Sequence, residues 1–320
     1  MTGPGSSSRQ RVAIVAGPAA HAALEPLLEA YAKRGPVEQV VTARIPPIEE
    51  LTEISAGADA VLLVGPRRRS PRTVLAGPLL YPGGGRRVPV GWVPDVGEAG
   101  LGRFAAAAAR VHARRAVAGS RSAALLGQRS RRYEDLSGRI GRLLAEGERP
   151  LRVYEWTADR LIREDMVEGL GCGLAVGVYV GHGRPVGWVG YRGIRAGHLE
   201  TLGEPTGAIL SLTCLTASRK RVGLSFAEAI PLSGAAGAAF GAVIETLHTD
   251  NSRWALRLAR GLTSTAATLG ELVAAAIPHP DGASSRYRIL GDPLVPLIDA
   301  DGAGDRADAL TRAAVLEHAS

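Results

Sequence analysis

The chain has 320 residues, 46% of them apolar, two cysteines, and a formal net charge of +7 from 38 Lys and Arg against 31 Asp and Glu. That length suits one large α/β domain or two small ones and can bury a sizeable core. Two cysteines exclude a disulfide framework, and every apolar run is broken by Gly, Pro or charge well short of the roughly 20 residues that a membrane span needs.

In chain order, "MTGPGSSSRQR" has no apolar signal core and reads as a flexible tail over residues 1–10 of a cytoplasmic protein. "RVAIVAG" (11–17) is a buried strand, and "HAALEPLLEAYAKRG" (21–35) a helix ending at Gly35. Strands follow at 39–45, 60–66 and 87–94, with a short helix, "PIEELTEISAG", after the first of them. An alanine-rich helix spans 101–119, with a glycine stop. A second series begins near residue 120. Strands are expected at 122–128, 151–157, 172–180, 207–213 and 237–246, and helices at 133–147 and 158–170. "SFAEAIPLSGA" is a helix with Ser225 as cap and Glu228 in the capping-box position. Two further helices precede "YRILGDPLVPL" (287–297), which closes the sheet, and residues 300–320 read as a loosely attached tail. Alternating apolar strands and helices imply an α/β fold, with mostly parallel sheets flanked by helices in two α/β subdomains, 11–120 and 121–299.

Ligands in such folds sit beyond the carboxyl ends of the strands. "VYVGHGRPVGWVG" ends an apolar strand on His182 between Gly181 and Gly183. Glycines let the backbone turn and let a ligand approach closely, and histidine titrates near neutral pH. Cys214 ends the next predicted strand, one strand–loop–strand excursion later, so both side chains are expected at the same end of the sheet. Cysteine beside histidine is a nucleophile candidate, whereas a lone cysteine is commonly a small buried apolar residue. That second reading is given to Cys172.

"GVYVGHG", "AILSLTC", the following "SFAEAIPLSGAAGAAFGAVIETLHTDN" and Leu290-Gly291-Asp292-Pro293 together resemble gingipain-like cysteine peptidases of the caspase-like clan. The resemblance covers roughly residues 11–298. It implies a caspase-like fold and a cysteine endopeptidase acting by acyl transfer, with Cys214 as nucleophile and His182 as its partner. It further implies that the backbone N–H groups of Gly183 and Cys214 hold the oxyanion, and it implies no cofactor. Family members are best known as secreted enzymes with an appended immunoglobulin-like domain. This chain shows neither a secretion signal nor that domain, so a cytoplasmic processing peptidase is the expectation.

Substrate-binding candidates are Glu245 and Asp250, acids beyond the strand after the nucleophile, and Trp188, on the loop after His182. An acid there would favour cleavage after a basic residue; Trp188 would instead wall an apolar pocket or pack under the loop. His198 and His248 lack the spacing of a metal site, and no metal is expected. His21, His112, His279 and His318 read as ordinary surface or capping residues. "GPAAH" and "VGPRRR" lack a phosphate-binding fingerprint. The arginine runs (67–69, 86–87, 114–115, 131–132) are scattered and aromatic residues are few, so they read as solvated surface rather than a nucleic-acid site. The partner is therefore a protein or peptide substrate, with no membrane and an open oligomeric state. A non-catalytic caspase-like scaffold that binds a peptide or protein is the alternative.

Overall fold

The computed structural model describes residues 10–115, 121–200, 203–277 and 284–319. Residues 1–9 of the expected tail, the boundary at residue 120 with its glycine stop, and His279 lie outside them; so does the side chain of His318.

The first series runs β1 (Val12–Ala16), α1 (Pro18–Ala23), α2 (Glu25–Ala32), β2 (Val37–Val41), α3 (Ile48–Ser55), β3 (Ala60–Pro66), α4 (Pro71–Val74), β4 (Leu79–Leu80), β5 (Val88–Asp95) and α5 (Glu98–His112). The second runs β6 (Ser122–Gly127), α6 (Arg131–Glu146), β7 (Arg152–Glu155), α7 (Arg163–Leu170) and β8 (Val176–Val180). Three two-residue strands follow: β9 (Gly183–Arg184), β10 (Gly187–Trp188) and β11 (Ile194–Arg195). Then come β12 (Thr206–Leu212), α8 (Phe226–Ser233), β13 (Ala236–Ala242), α9 (His248–Leu262), α10 (Leu269–Ala276), β14 (Tyr287–Gly291) and α11 (Ala303–Ala319).

The two series share one eleven-stranded sheet rather than two, in the order β2-β1-β3-β5-β14-β13-β12-β8-β6-β7, with β4 attached to β5. β14 makes this continuity. It pairs parallel with β5 (Ile289 opposite Gly91) and antiparallel with β13 (Ala239 opposite Leu290). Far from closing the sheet, it lies at the centre, and the two halves of the sheet run in opposite directions.

Strand alternation sorts the core. Val12, Ile14 and Ala16 pack with Leu27 and Tyr31 of α2 and Phe104 of α5. Ala13 and Val15 face Leu51 of α3. In the other half, Val176, Val178, Val180, Leu210 and Leu212 pack with Tyr133, Leu136 and Ile140 of α6 and Trp254 of α9. Tyr179 and Ile209 turn to the opposite face, towards Leu170, Trp188 and Phe226. The capping box of α8 forms as expected: Ser225 Oγ accepts from the Glu228 N–H, and Glu228 accepts from the Ser225 N–H at 2.9 Å.

Two expectations are corrected. Residues 303–319 are a docked helix, not a loose tail. Ala303, Ala307 and Ala314 are buried, Arg152 pairs with Asp308, and Trp156 Nε1 donates to Thr311 Oγ1 at 3.0 Å. Nor are His21 and His112 surface residues; both are buried. His112 Nε2 lies 2.6 Å from Asp292 Oδ2, and Tyr31 Oη donates to Asp292 Oδ1 at 2.5 Å. The Leu-Gly-Asp-Pro segment thus ties β14 to α2 and α5 from within.

Candidate active site

β8 and β12 are parallel neighbours with Val180 opposite Leu212. Two residues beyond these partners stand His182 and Cys214. They leave the sheet level with one another, on the α6–α9 side that residues 178, 180, 210 and 212 already face.

The glycines around His182 answer to space, not to backbone dihedrals. A Cβ on Gly181 would lie 2.4 Å from Tyr179 Oη. One on Gly183 would lie 2.5 Å from the Cys214 carbonyl oxygen and 2.6 Å from Thr213 Cγ2. The His182 backbone is pinned at both ends. Its N–H donates to Gln128 Oε1 at 3.0 Å, and its carbonyl accepts from the Val189 N–H at 2.9 Å and from Tyr179 Oη at 3.1 Å. The exposed His182 ring meets Tyr133, whose hydroxyl lies 3.4 Å from Nε2.

Cys214 is half-buried. Its thiol donates to the Thr246 carbonyl at 3.3 Å, Thr246 Oγ1 lies at 3.3 Å, and the Thr246 N–H points at the sulfur at 3.4 Å. No hydrogen bond joins Sγ to His182, and among the described residues none uses the Cys214 N–H. Leu215, next in the chain, has φ +62°. A branched side chain there costs on the order of 1–3 kcal/mol, a strain typical of functional turns.

Four more residues meet here: Gln128 after β6, Tyr133 at the start of α6 and Thr246 after β13, which local sequence patterns did not single out, and His248 at the start of α9, which the sequence raises only as a metal-ligand candidate. The Tyr133 ring stands edge-on to His182 (centroids 5.6 Å apart) and to His248 (5.7 Å). Burial raises the Tyr133 phenol pKa, against a downward pull from Arg132. Burial, then Arg132 and His182, lower that of His248. Both groups are therefore held towards their neutral forms at neutral pH. Each comes from a different strand end or helix start, so only the sheet order could have brought them together.

The proposed pocket residues fare differently. Trp188 is buried: it stacks on Tyr179 at 4.4 Å, meets Phe226 edge-on, and donates from Nε1 to Ser211 at 2.9 Å. It anchors the base of the β9–β11 loop and does not wall an open apolar pocket. The Glu245 side chain is 67% exposed and lies 3.5 Å from Lys220 Nζ; its own backbone N–H and then Lys220 lower its pKa. Asp250, in the first turn of α9, pairs with Arg286 at 3.2 Å. Neither is an unmatched acid in an enclosed pocket. A cleft of about 680 Å³ does open beside Gln128, between the 189–192 loop and residues 158–164. Asp159 and Glu164 line it together with Arg129, Arg163 and Arg192.

Cys172 is buried, and burial raises its thiol pKa. His198 Nδ1 accepts the Arg195 N–H at 3.1 Å and closes a short turn. Among the described residues no group of three or more His, Cys, Asp or Glu could hold a metal, and no helix is long and apolar enough to cross a membrane.

The chain overlays gingipain R (RgpB), an Arg-specific cysteine proteinase, with a TM-score of 0.71 at 14% identity, over 92% of this chain and 79% of the other. The complex of the pro- and mature domains of Porphyromonas gingivalis RgpB gives 0.69 at 14% identity, over 89% and 79%. A further structure, described as a protease, gives 0.66 at 15%, over 92% and 79%. No curated protein matches the sequence. At these identities the overlays show the caspase-like fold. The sequence model of peptidase family C25 matches residues 134–298, more than half of the chain and the part that holds both His182 and Cys214. The chain therefore belongs to peptidase family C25, the gingipain family of cysteine peptidases.

Proposed function

We propose that the protein is a cysteine endopeptidase in which Cys214 and His182 carry out acyl transfer. The observation that carries this reading is their level placement at the carboxyl ends of neighbouring parallel strands, with Gly183 lying against the Cys214 carbonyl. Cys214 Sγ attacks the scissile carbonyl carbon, and the thiol proton passes to His182. The oxyanion is held by the N–H groups of Gly183 and Cys214, which is supported by the uncommitted Cys214 N–H. His182 gives its proton to the leaving amine, then takes one from the water that splits the acyl-enzyme. The deciding comparison is wild type beside Cys214→Ala and His182→Ala on denatured casein and a mixed peptide library. Cys214→Ala should lose turnover by on the order of 10⁴-fold or more, with stability changed by less than about 1 kcal/mol. Turnover retained in Cys214→Ala would end the proposal.

Cleavage after a basic residue belongs to the same proposal, supported by the likeness to an Arg-specific proteinase. Glu245 and Asp250 already have cationic partners, so the acid assigned to this preference is Asp159, in the cleft beside Gln128. A carboxylate can take a guanidinium bidentately, which favours Arg over Lys. A library varied at the residue before the cut bond should show Arg leading in wild type and a weakened preference in Asp159→Asn. A profile led by acidic or apolar residues removes this part of the reading. A cytoplasmic site of action completes the proposal and is tested by fractionating cells that make the protein.

A further inference from the structure

We infer that Tyr133 is a positioning residue for the reaction, accepting a hydrogen bond from His182 Nε2–H so that Nδ1 is the nitrogen that exchanges protons with thiol, leaving amine and water. The inference rests on the Cys214–His182 reading above. Three observations carry it. The Tyr133 hydroxyl lies 3.4 Å from His182 Nε2. The two rings meet edge to face, centroids 5.6 Å apart and planes at 86°. Tyr133 is itself immobilised: it is the third residue of α6, buried among Leu136, Val180 and Leu212, and its N–H donates to the Ser130 carbonyl at 2.8 Å.

Without Tyr133, only the His182 backbone is fixed. Gln128, Val189 and Tyr179 hold its N–H and carbonyl but leave the exposed ring free to turn. Which nitrogen a histidine uses is decided by the bond its other nitrogen makes. With Nε2–H donating to the phenol oxygen, the neutral ring presents a bare Nδ1. That nitrogen takes the proton as the Sγ–C bond forms, and the resulting imidazolium keeps Nε2–H on Tyr133. When the C–N bond breaks, Nδ1–H goes to the leaving amine and the neutral ring returns unchanged; water then gives a proton to Nδ1 as its oxygen bonds the acyl carbon, and the C–S bond breaks as that proton passes to Cys214 Sγ. Tyr133 gains and loses no proton in this sequence, consistent with a phenol kept protonated by burial. The charged and titratable groups facing this pair are Arg132 on α6, Tyr179 on β8, His248 on α9 and Cys214 beyond β12. All four remain in a Tyr133→Phe variant, which removes only the hydroxyl and the bonds it makes to His182 and Arg132.

The test compares Tyr133→Phe and Tyr133→Leu with wild type, Cys214→Ala and His182→Ala. Phe keeps the ring packing, so its Tm should stay within about 2 °C of wild type. Its kcat/KM on the library should fall about three- to tenfold, the size of one ordinary hydrogen bond, through kcat rather than KM. The acid limb of the kcat/KM profile should move to lower pH, because the imidazolium that competes with the active neutral ring loses an acceptor. Tyr133→Leu, lacking the ring edge as well, should be slower still. Alkylation of Cys214 by iodoacetamide at neutral pH gives a readout that needs no substrate, and it should slow by a similar factor in both variants. Unchanged alkylation and an unchanged pH profile in a folded Tyr133→Phe overturn the inference while leaving the peptidase reading intact. Cleavage retained in Cys214→Ala overturns the peptidase reading instead.

Discussion

Asp292 offers the sharpest test of which residues hold the fold and which do chemistry. Although it sits in the segment that resembles gingipain-like enzymes, it lies at the carboxyl end of β14, and β14 runs antiparallel to β13. It therefore occupies the opposite end of the sheet from Cys214. The carboxylate is fully buried and accepts three hydrogen bonds: from Tyr31 Oη at 2.5 Å, from His112 Nε2 at 2.6 Å and from the Leu294 N–H at 2.7 Å. Asp292→Ala strands all three partners. Each buried orphan costs roughly 1–3 kcal/mol, and water entering the small void recovers part of this, so the expected loss is about 3–5 kcal/mol. Asp292→Asn keeps an oxygen for Tyr31 and Leu294 and turns an amide N–H towards His112, at a cost of about 1–2 kcal/mol. With a urea slope of about 3 kcal/mol/M, Asp292→Ala should lower the unfolding midpoint by roughly 1–1.7 M and Asp292→Asn by less than half of that. The folded fraction of each variant should cleave at the wild-type rate. Equal losses in the two variants would refute the hydrogen-bond reasoning, and a stable but inactive Asp292→Ala would refute the assignment of this residue to the fold.

Brief alkylation followed by peptide mapping should modify Cys214 well before Cys172, because Cys172 is buried with a raised pKa; preferential labelling of Cys172 would oppose the site. Gly183→Ala drives a methyl against the Cys214 carbonyl oxygen, 2.5 Å from it, so the turn must shift; activity should fall by on the order of 10²-fold or more, measured with the same library. Burial raises the pKa values of Tyr31, Tyr179, Tyr191 and Tyr287, so these phenols stay protonated in the folded chain and ionise near 10 once it unfolds. Above that pH the folded state binds more protons, so their contribution is complete below about pH 10 and is lost as pH rises, by up to about 1.4 kcal/mol per pH unit for each phenol; urea midpoints measured from pH 8 to 11 should be level and then fall.

The strands of the core were legible because β-branched, apolar runs such as residues 60–66 and 206–212 are bounded by turns, and the glycine-flanked His182 and the strand-end Cys214 carried local signals. Tyr133 and Thr246 carried none, and His248 only the question of a metal ligand, because each reaches the site from a separate element. Spatial strand order was equally hidden: "YRILG" reads as a last strand, and nothing in its residues says that both of its edges are paired. The helix at 303–319 escaped notice because its buried positions, Ala303, Ala307 and Ala314, are alanines among charged neighbours and give little hydrophobic contrast. His112 was misplaced because a lone histidine in an alanine-rich helix gives no hint of a carboxylate 180 residues further along the chain.

The reversal at β14 also separates two kinds of contribution to the site. Because β1, β3 and β5 run against β8 and β12, their carboxyl ends point away from Cys214, so the loops that usually bind ligands in that half face the other way. What the first half supplies is support from below. Trp92 on β5 donates from Nε1 to Glu228 at 2.9 Å, and the same buried carboxylate holds Arg219 through Nε at 2.8 Å and Nη2 at 2.6 Å. Arg219 in turn donates to the Arg67 carbonyl. This chain of bonds fixes the 215–225 loop immediately after Cys214, where Leu215 carries an unfavourable backbone conformation that must be held by its surroundings. A buried carboxylate and guanidinium are costly to desolvate, and paired this closely they specify one arrangement of the loop. The first half therefore holds the Cys214 turn in place, and the residues gathered around Cys214 and His182 come from the carboxyl ends of β6, β8, β12 and β13 and from the starts of α6 and α9.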